Sequence, residues 1–262
     1  MRTLLVGINE YKLPGNDLGG CVNDVEAMQK SLVDYEENQI HVLLNKEATA
    51  ANIREQLKWL VAETWVHTNL LFYYSGHGSY TRNYYTDNLE SDERDEVICP
   101  HDFGWDVPES VILDDDIHEI LKNKNPEAKL VCIFDCCHSG TMYRNFGNPD
   151  IETRVKSFSN PYSRNIHTKN AIDKVDFLDI PNTIFISGCQ DDQVSNEFCF
   201  KSGNKKVWRG VLSYYLQLGL AFHANNSVEE LRKFVISAIK DKGFEQEPNF
   251  VYGPNTDTSK FI

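Results

Sequence analysis

The 262-residue sequence predicts an α/β protein with a mostly parallel six-stranded central sheet and helices on both faces. Short apolar runs alternate along the chain with segments of helical period, the pattern of βα units. Six such runs are present, a usual size for one sheet. No internal repeat or low-complexity tract competes with that reading. At 41% hydrophobic content the chain can bury roughly three quarters of its unfolded surface and needs no staples.

Taken in order, "TLLVGI" (3 to 8) is the first strand. A helix follows, opened by Asn23 with Glu26 as a capping box and carrying Val25, Met28, Leu32 and Tyr35 on one face. "IHVLL" (40 to 44) is the second strand, and Ile53, Leu57, Leu60 and Val61 mark the second helix. "LLFYY" (70 to 74) is the third strand. Ile117, Ile120 and Leu121 mark a helix that begins at Asp114, Asp115 and Asp116. "LVCIF" (130 to 134) and "TIFIS" (183 to 187) are apolar throughout, as buried parallel strands are. "GVLSYYLQLGLAFH" (210 to 223) reads as a buried helix. Ser227 with Glu230 caps the last helix, whose stripe is Leu231, Phe234, Val235, Ala238 and Ile239, and "NFVYG" (249 to 253) closes the sheet. Residues 78 to 95 and 139 to 181 fit no regular element, and such long irregular stretches usually belong to function or disorder.

Composition removes several function classes. The net charge is −13 and no Lys/Arg cluster dominates any segment, so the footprint for a phosphate backbone is missing and nucleic acid is not an expected partner. No apolar run approaches the roughly 18 residues of a membrane span, and "MRTLLVGINEY" turns polar too early for a signal peptide. Seven scattered cysteines show neither a disulfide framework nor Cys-x-x-Cys pairs, which fits a reducing, cytoplasmic setting without a zinc site.

Two motifs carry the chemistry. "SGHG" (75 to 78) directly follows one strand and "DCCHSG" (135 to 140) directly follows another. Ligands of open parallel sheets bind at the carboxyl ends of strands, so neighbouring strands would bring His77 and a cysteine to one cleft. An imidazole beside a thiol supplies the base that a nucleophilic sulfur needs. Glycines flank His77, and the Gly78 amide with the cysteine's own amide can hold an oxyanion. Alternation of side chains favours Cys137 as the nucleophile and sends Cys136 into the core. A phosphatase loop is the weaker alternative, because it needs Cys-x5-Arg and the chain has Cys-x6-Arg, from Cys137 to Arg144.

The stretches "LLVGINEY", "LGGCVNDVEAM", "LLFYYSGHGS", "DCCHSGTM" and "ISGCQDDQVS" resemble, in order, the signatures of caspase-fold cysteine peptidases of the metacaspase and prokaryotic caspase-like branch (peptidase family C14). The resemblance implies a three-layer caspase-like fold in one domain. A large-subunit-like part would cover 1 to 140, a linker open to processing 141 to 181, and a small-subunit-like part 182 to 262. It places the Cys–His dyad on Cys137 and His77, and an acidic pocket for a substrate Arg or Lys on Asp24 and Asp135, lined by Cys21 and Ser75. Read as residues alone, Asp24 also suits a helix start, and Cys21 and Ser75 also suit plain packing.

The implied activity is an endopeptidase that cuts protein substrates after Arg or Lys through a thioester, with no cofactor needed for the chemistry. The family's calcium ligands fall on Asp95, Asp114 and Asp115. Arg144 stands where the family has a further carboxylate and would repel the ion, and the triplet at 114 to 116 equally suits a helix N-terminus. Arg144, Arg154, Lys156, Arg164, Lys169 and Lys174 are candidate processing sites for the chain itself or for an upstream activating protease. A catalytically silent caspase-like scaffold is the competing reading, against which stands the presence of both dyad residues.

Overall fold

The computed structural model describes residues 1–32, 37–82, 94–137, 151–158, 179–190, 193–203, 205–223 and 227–262. In chain order the strands are β1 (Arg2–Gly7), β2 (Gln39–Leu44), β3 (Asn69–Ser75), β4 (Gly78–Arg82), β5 (Arg94–Ile98), β6 (Ile112–Leu113), β7 (Lys129–Asp135), β8 (Thr153–Val155), β9 (Thr183–Ser187), β10 (Asn196–Ser202), β11 (Lys205–Gly210) and β12 (Asn249–Tyr252). The helices are α1 (Cys21–Ser31), α2 (Ala50–Val61), α3 (Asp114–Leu121), α4 (Val211–His223) and α5 (Val228–Asp241).

The six runs expected as strands form one sheet in the order β12-β9-β7-β3-β1-β2, parallel except for β12. Successive side chains of a strand point to opposite faces, and each face is apolar here, so both are covered. Leu4, Val6, Leu70, Phe72, Leu130 and Cys132 share one buried cluster with Ile53, Leu57 and Leu60 of α2 and Ile117 and Leu121 of α3. Leu5, Leu71, Tyr73, Val131 and Ile133 share the other with Val25 and Met28 of α1, Leu212 and Leu216 of α4, and Leu231, Val235 and Ile239 of α5. Each such side chain, fully buried, stabilises the fold by about 1.5–3 kcal/mol.

Capping at the helix starts only partly follows the sequence. The Ser227–Glu230 capping box forms at α5, and Thr49 caps α2 by accepting from the Asn52 amide at 3.3 Å. The Asn23–Glu26 box does not form. The N-cap lies three residues earlier, at Gly20, and Asn23 donates instead to the carbonyls of Gly19 (3.4 Å) and Trp208 (2.9 Å). That side chain is drawn away by β11, a partner distant in sequence.

The two stretches read as irregular hold strands. β4 and β5 pair antiparallel across residues 78–82 and 94–98, and β5 pairs with β6. β8, inside the stretch 139 to 181, pairs antiparallel with β10, which also pairs with β11. β4, β5 and β8 are short and mostly polar, so the apolar periodicity that reveals the central sheet is weak in them.

Candidate active site

Gly7, Ser75 and Asp135 stand in register at the carboxyl ends of β1, β3 and β7. His77 and Cys137 each follow that line by two residues on neighbouring strands, and both are buried, at 4% and 1% exposure. The amides of Gly78 and Cys137 converge on one oxygen, the backbone carbonyl of Lys156, each at 3.1 Å. This carbonyl belongs to the chain's own segment 151–158, which lies extended across the strand ends.

The imidazole of His77 is fixed from several sides. Its Nε2 lies 2.8 Å from the carbonyl oxygen of Asn16, which can only accept, so Nε2 carries the proton. Nδ1 is therefore the bare, basic nitrogen, and it is buried without a hydrogen-bond partner among the described residues. Tyr11 and Phe158 pack on the ring with centroids at 4.9 and 4.4 Å. The His77 amide donates to the Tyr11 hydroxyl (2.7 Å), and its carbonyl accepts from Tyr74 (2.7 Å). Burial lowers the His77 pKa to about 4, because the charged form has lost its water. The Cys137 thiol donates to the carbonyl of Gln193 at 3.5 Å and lies against the Cys189 thiol. Cys136 joins the apolar core.

Beside these groups is a dry, anionic pocket. Asp24 and Asp135 are both fully buried, and the ammonium of Lys156, itself fully buried, enters between them. Lys156 Nζ is 3.1 Å from Asp135, 4.0 Å from Asp24 and 2.8 Å from the Ser75 hydroxyl. Burial opposes its charge, but the carboxylates outweigh that and hold its pKa above the ordinary lysine value.

The two carboxylates are braced. Asp24 accepts from Arg209 Nε (2.6 Å), the Gly210 amide (2.9 Å) and Ser75 (3.0 Å). Asp135 accepts from Ser195 Oγ (2.9 Å) and from both the amide and the hydroxyl of Ser213. Burial still pushes the Asp24 carboxyl up to about 6, against the pull of Lys156 and Arg209. The Asp24 side chain is thus engaged by these partners and not by the helix start, where Gly20 holds the N-cap position without a side-chain bond and the Cys21 and Val22 amides donate to Asn9 Oδ1 (2.8 and 3.4 Å). The Cys21 thiol is buried beside Ser75, and burial keeps it protonated. Gly210 forms the floor, where an added Cβ would sit 1.9 Å from Asp135 Oδ2.

Asp114 and Asp115 open α3, where the Asp115 amide donates to Asp114 Oδ1 at 3.0 Å. Asp95 lies on β5 with its side chain outside the described residues, as are Arg144, Arg164, Lys169 and Lys174. Among the described residues, no group of three or more His, Cys, Asp or Glu is placed to hold a metal ion.

Sequence reasoning missed Asn16, Ser195, Arg209, Gly210, Ser213 and Gln217, and it had no basis for selecting Lys156 from six basic residues. One signal was available. Ser213 and Gln217 stand four residues apart on the otherwise apolar α4, a polar pair that must meet polar partners when buried. Gln217 accepts from Arg209 and donates to the Asp24 carbonyl at 2.8 Å.

A parallel sheet of this order, sandwiched by helices and presenting its polar groups at the carboxyl ends, is the caspase-like α/β class. The crystal structure of protein GSU0716 from Geobacter sulfurreducens has the same fold, with a TM-score of 0.72 and 22% identity, covering 98% of this chain and 96% of that one. The metacaspase, peptidase C14 domain matches residues 1–145. Metacaspase-2 of Trypanosoma brucei brucei is 32% identical over 268 residues, 95% of this chain and 72% of that protein. Metacaspase-1 of Scheffersomyces stipitis is 39% identical over 150 residues, 53% of this chain and 36% of that protein. The chain spans little more than a third of this yeast relative. It belongs to the metacaspase family of cysteine-type peptidases.

Proposed function

We propose that this chain is a cysteine endopeptidase that cuts after Lys or Arg, and that the form described here is its self-blocked zymogen. The observation that supports this reading most is Lys156. Its ammonium sits between Asp24 and Asp135 while its carbonyl oxygen accepts from the Gly78 and Cys137 amides, as the residue before a scissile bond would.

The chemistry follows from the chain's own groups. His77 Nδ1 takes the proton of the Cys137 thiol, and the sulfur attacks the substrate carbonyl carbon. The developing oxyanion is held by the Gly78 and Cys137 amides. The imidazolium, oriented by the Asn16 carbonyl, returns its proton to the leaving amine, and a thioester remains. Water, deprotonated by the neutral imidazole, releases the acid and regenerates the thiol. Lysine and arginine both carry the cation that the paired carboxylates require, whereas an aspartate side chain there would be repelled.

The bond after Lys156 is the proposed processing site, cut by the chain itself or by an upstream protease. Withdrawal of Ser157 and Phe158 would then uncover His77. Seven cysteines, none in a disulfide among the described residues, support a cytoplasmic setting, and none of the helices is long and apolar enough to cross a membrane among the described residues. Calcium at Asp95, Asp114 and Asp115 belongs to the same proposal. Asp114 and Asp115 directly follow Leu113, which pairs with Val97, two residues along β5 from Asp95, and carboxylate oxygens suit this ion. It would supply positive charge at the α3 end and take no part in the bond chemistry.

Intact-mass analysis of the purified chain with time tests the reading. A cut between 156 and 157, lost in Cys137→Ala and in His77→Ala, is expected, with Lys- and Arg-coumarin peptides hydrolysed only by the parent. Hydrolysis that survives Cys137→Ala would overturn the assignment.

A further inference from the structure

The extended segment carries a second cation two residues before Lys156, and that cation also meets a built acceptor. Successive residues of a strand alternate in direction, so Arg154 and Lys156 share a side of the segment and Val155 points away. In the β8–β10 ladder Arg154 stands directly opposite Glu197. Arg154 Nη1 is 3.5 Å from Glu197 Oε1, and its guanidinium carbon lies 4.0 Å from the centre of the Trp208 ring.

Glu197 has no exposed side-chain surface, whereas Arg154 is 45% exposed. The acceptor is therefore part of the fold and the cation is an occupant. Glu197 is held by the amides of Gly19 (3.0 Å) and Gly20 (2.7 Å). Those residues must be glycines, since an added Cβ at Gly19 would come within 2.9 Å of the Trp208 ring and one at Gly20 within 2.9 Å of the Arg209 backbone. The "LGG" turn, the carboxylate and the indole thus form one preassembled unit. If the segment withdraws, an indole face and a carboxylate edge are left for another planar cation.

We propose that Glu197 and Trp208 form a second cation subsite that selects arginine two residues before the lysine or arginine that precedes the cleaved bond, so that favoured protein substrates carry Arg-x-Lys or Arg-x-Arg in extended segments. The proposal rests on the reading of Asp24 and Asp135 as the pocket for the residue before that bond. Arginine is preferred to lysine because its flat guanidinium stacks on the indole while one edge still reaches the carboxylate.

The test compares acetyl-Thr-Arg-Val-Lys-aminomethylcoumarin with its Thr-Ala-Val-Lys and Thr-Lys-Val-Lys counterparts on the processed full-length enzyme. The arginine peptide is expected to have a kcat/KM at least about tenfold above the alanine peptide, with the lysine peptide between. In Trp208→Leu and in Glu197→Gln that ratio should fall to about threefold or less. A ratio taken within one enzyme does not depend on its folded fraction, so a Glu197 that only braced Gly19 and Gly20 would slow all peptides equally and leave the ratio unchanged. Equal rates for the arginine and alanine peptides on the parent would overturn the subsite and leave the peptidase reading standing. If no lysine peptide is hydrolysed, that reading falls, and the subsite is judged by amide exchange of segment 151–158 in uncut Cys137→Ala. Adding Arg154→Ala should speed that exchange about tenfold, and unchanged exchange overturns the proposal.

Discussion

Replacing Lys156 by alanine removes the cation that fastens segment 151–158 into its groove while leaving the catalytic groups in place. The lost interactions are the 3.1 Å contact with Asp135, the 4.0 Å contact with Asp24 and the 2.8 Å bond to Ser75, all fully buried. Taking one partner from a buried ion pair costs about 3–5 kcal/mol. At about 1.4 kcal/mol per decade, the docked fraction falls relative to the open one by a factor of about 100 or more. A reagent that needs the open site reacts in proportion to the open fraction. An arginyl chloromethyl ketone should therefore alkylate Cys137 about 100-fold faster in uncut Lys156→Ala than in the uncut parent, followed by intact mass. The variant should also resist cutting between 156 and 157. Labelling rates within twofold of each other would refute the idea that this lysine closes the site.

Asp135→Asn should leave the fold intact but lower kcat/KM for lysine peptides more than about 100-fold, through KM as well as kcat, because the amide keeps the Ser213 contacts and loses the charge. Gly210→Ala forces a Cβ to within 1.9 Å of Asp135 Oδ2; loss of peptide hydrolysis in a chain that still unfolds cooperatively is expected, and normal rates would show that the floor yields. The imidazole of His77 should titrate near 4 in the uncut chain by ring NMR and return toward 6.5 in Lys156→Ala. Because the closed form has the depressed pKa, opening binds a proton between these values. Falling pH thus favours opening by up to about 3 kcal/mol, fully absent above about 6.5. A midpoint near 6.5 in the uncut chain would contradict the burial described.

The central sheet was legible because burial on both faces forces continuous apolar runs, and all six expected strands are present. The residues gathered near the strand ends were legible in a different way, since His77, Gly78, Cys137, Asp24 and Asp135 sit in short motifs at strand ends or the first turn of a helix. What stayed hidden depends on pairing over long chain separations. β8 is a three-residue strand with little periodicity, defined only by its pairing with β10. Asn23 satisfies the local rule for a helix start, yet it bonds Trp208, 185 residues away. Lys156 has no local feature that sets it apart from Arg164 or Lys169; only the converged carboxylates of residues 24 and 135 single it out.

The groove takes its occupant as an added strand. From the Glu152 carbonyl, which accepts from the Cys199 amide, to the Phe158 carbonyl, which accepts from the Ser79 hydroxyl, the backbone itself is gripped. At about 3.3 Å per residue this demands roughly 20 Å of straightened polypeptide. A helix offers the same seven residues in about half that length with its amides already engaged. On the proposed peptidase reading, targets would therefore surrender a loop or a frayed end, and a tightly folded bystander, however rich in basic residues, would escape.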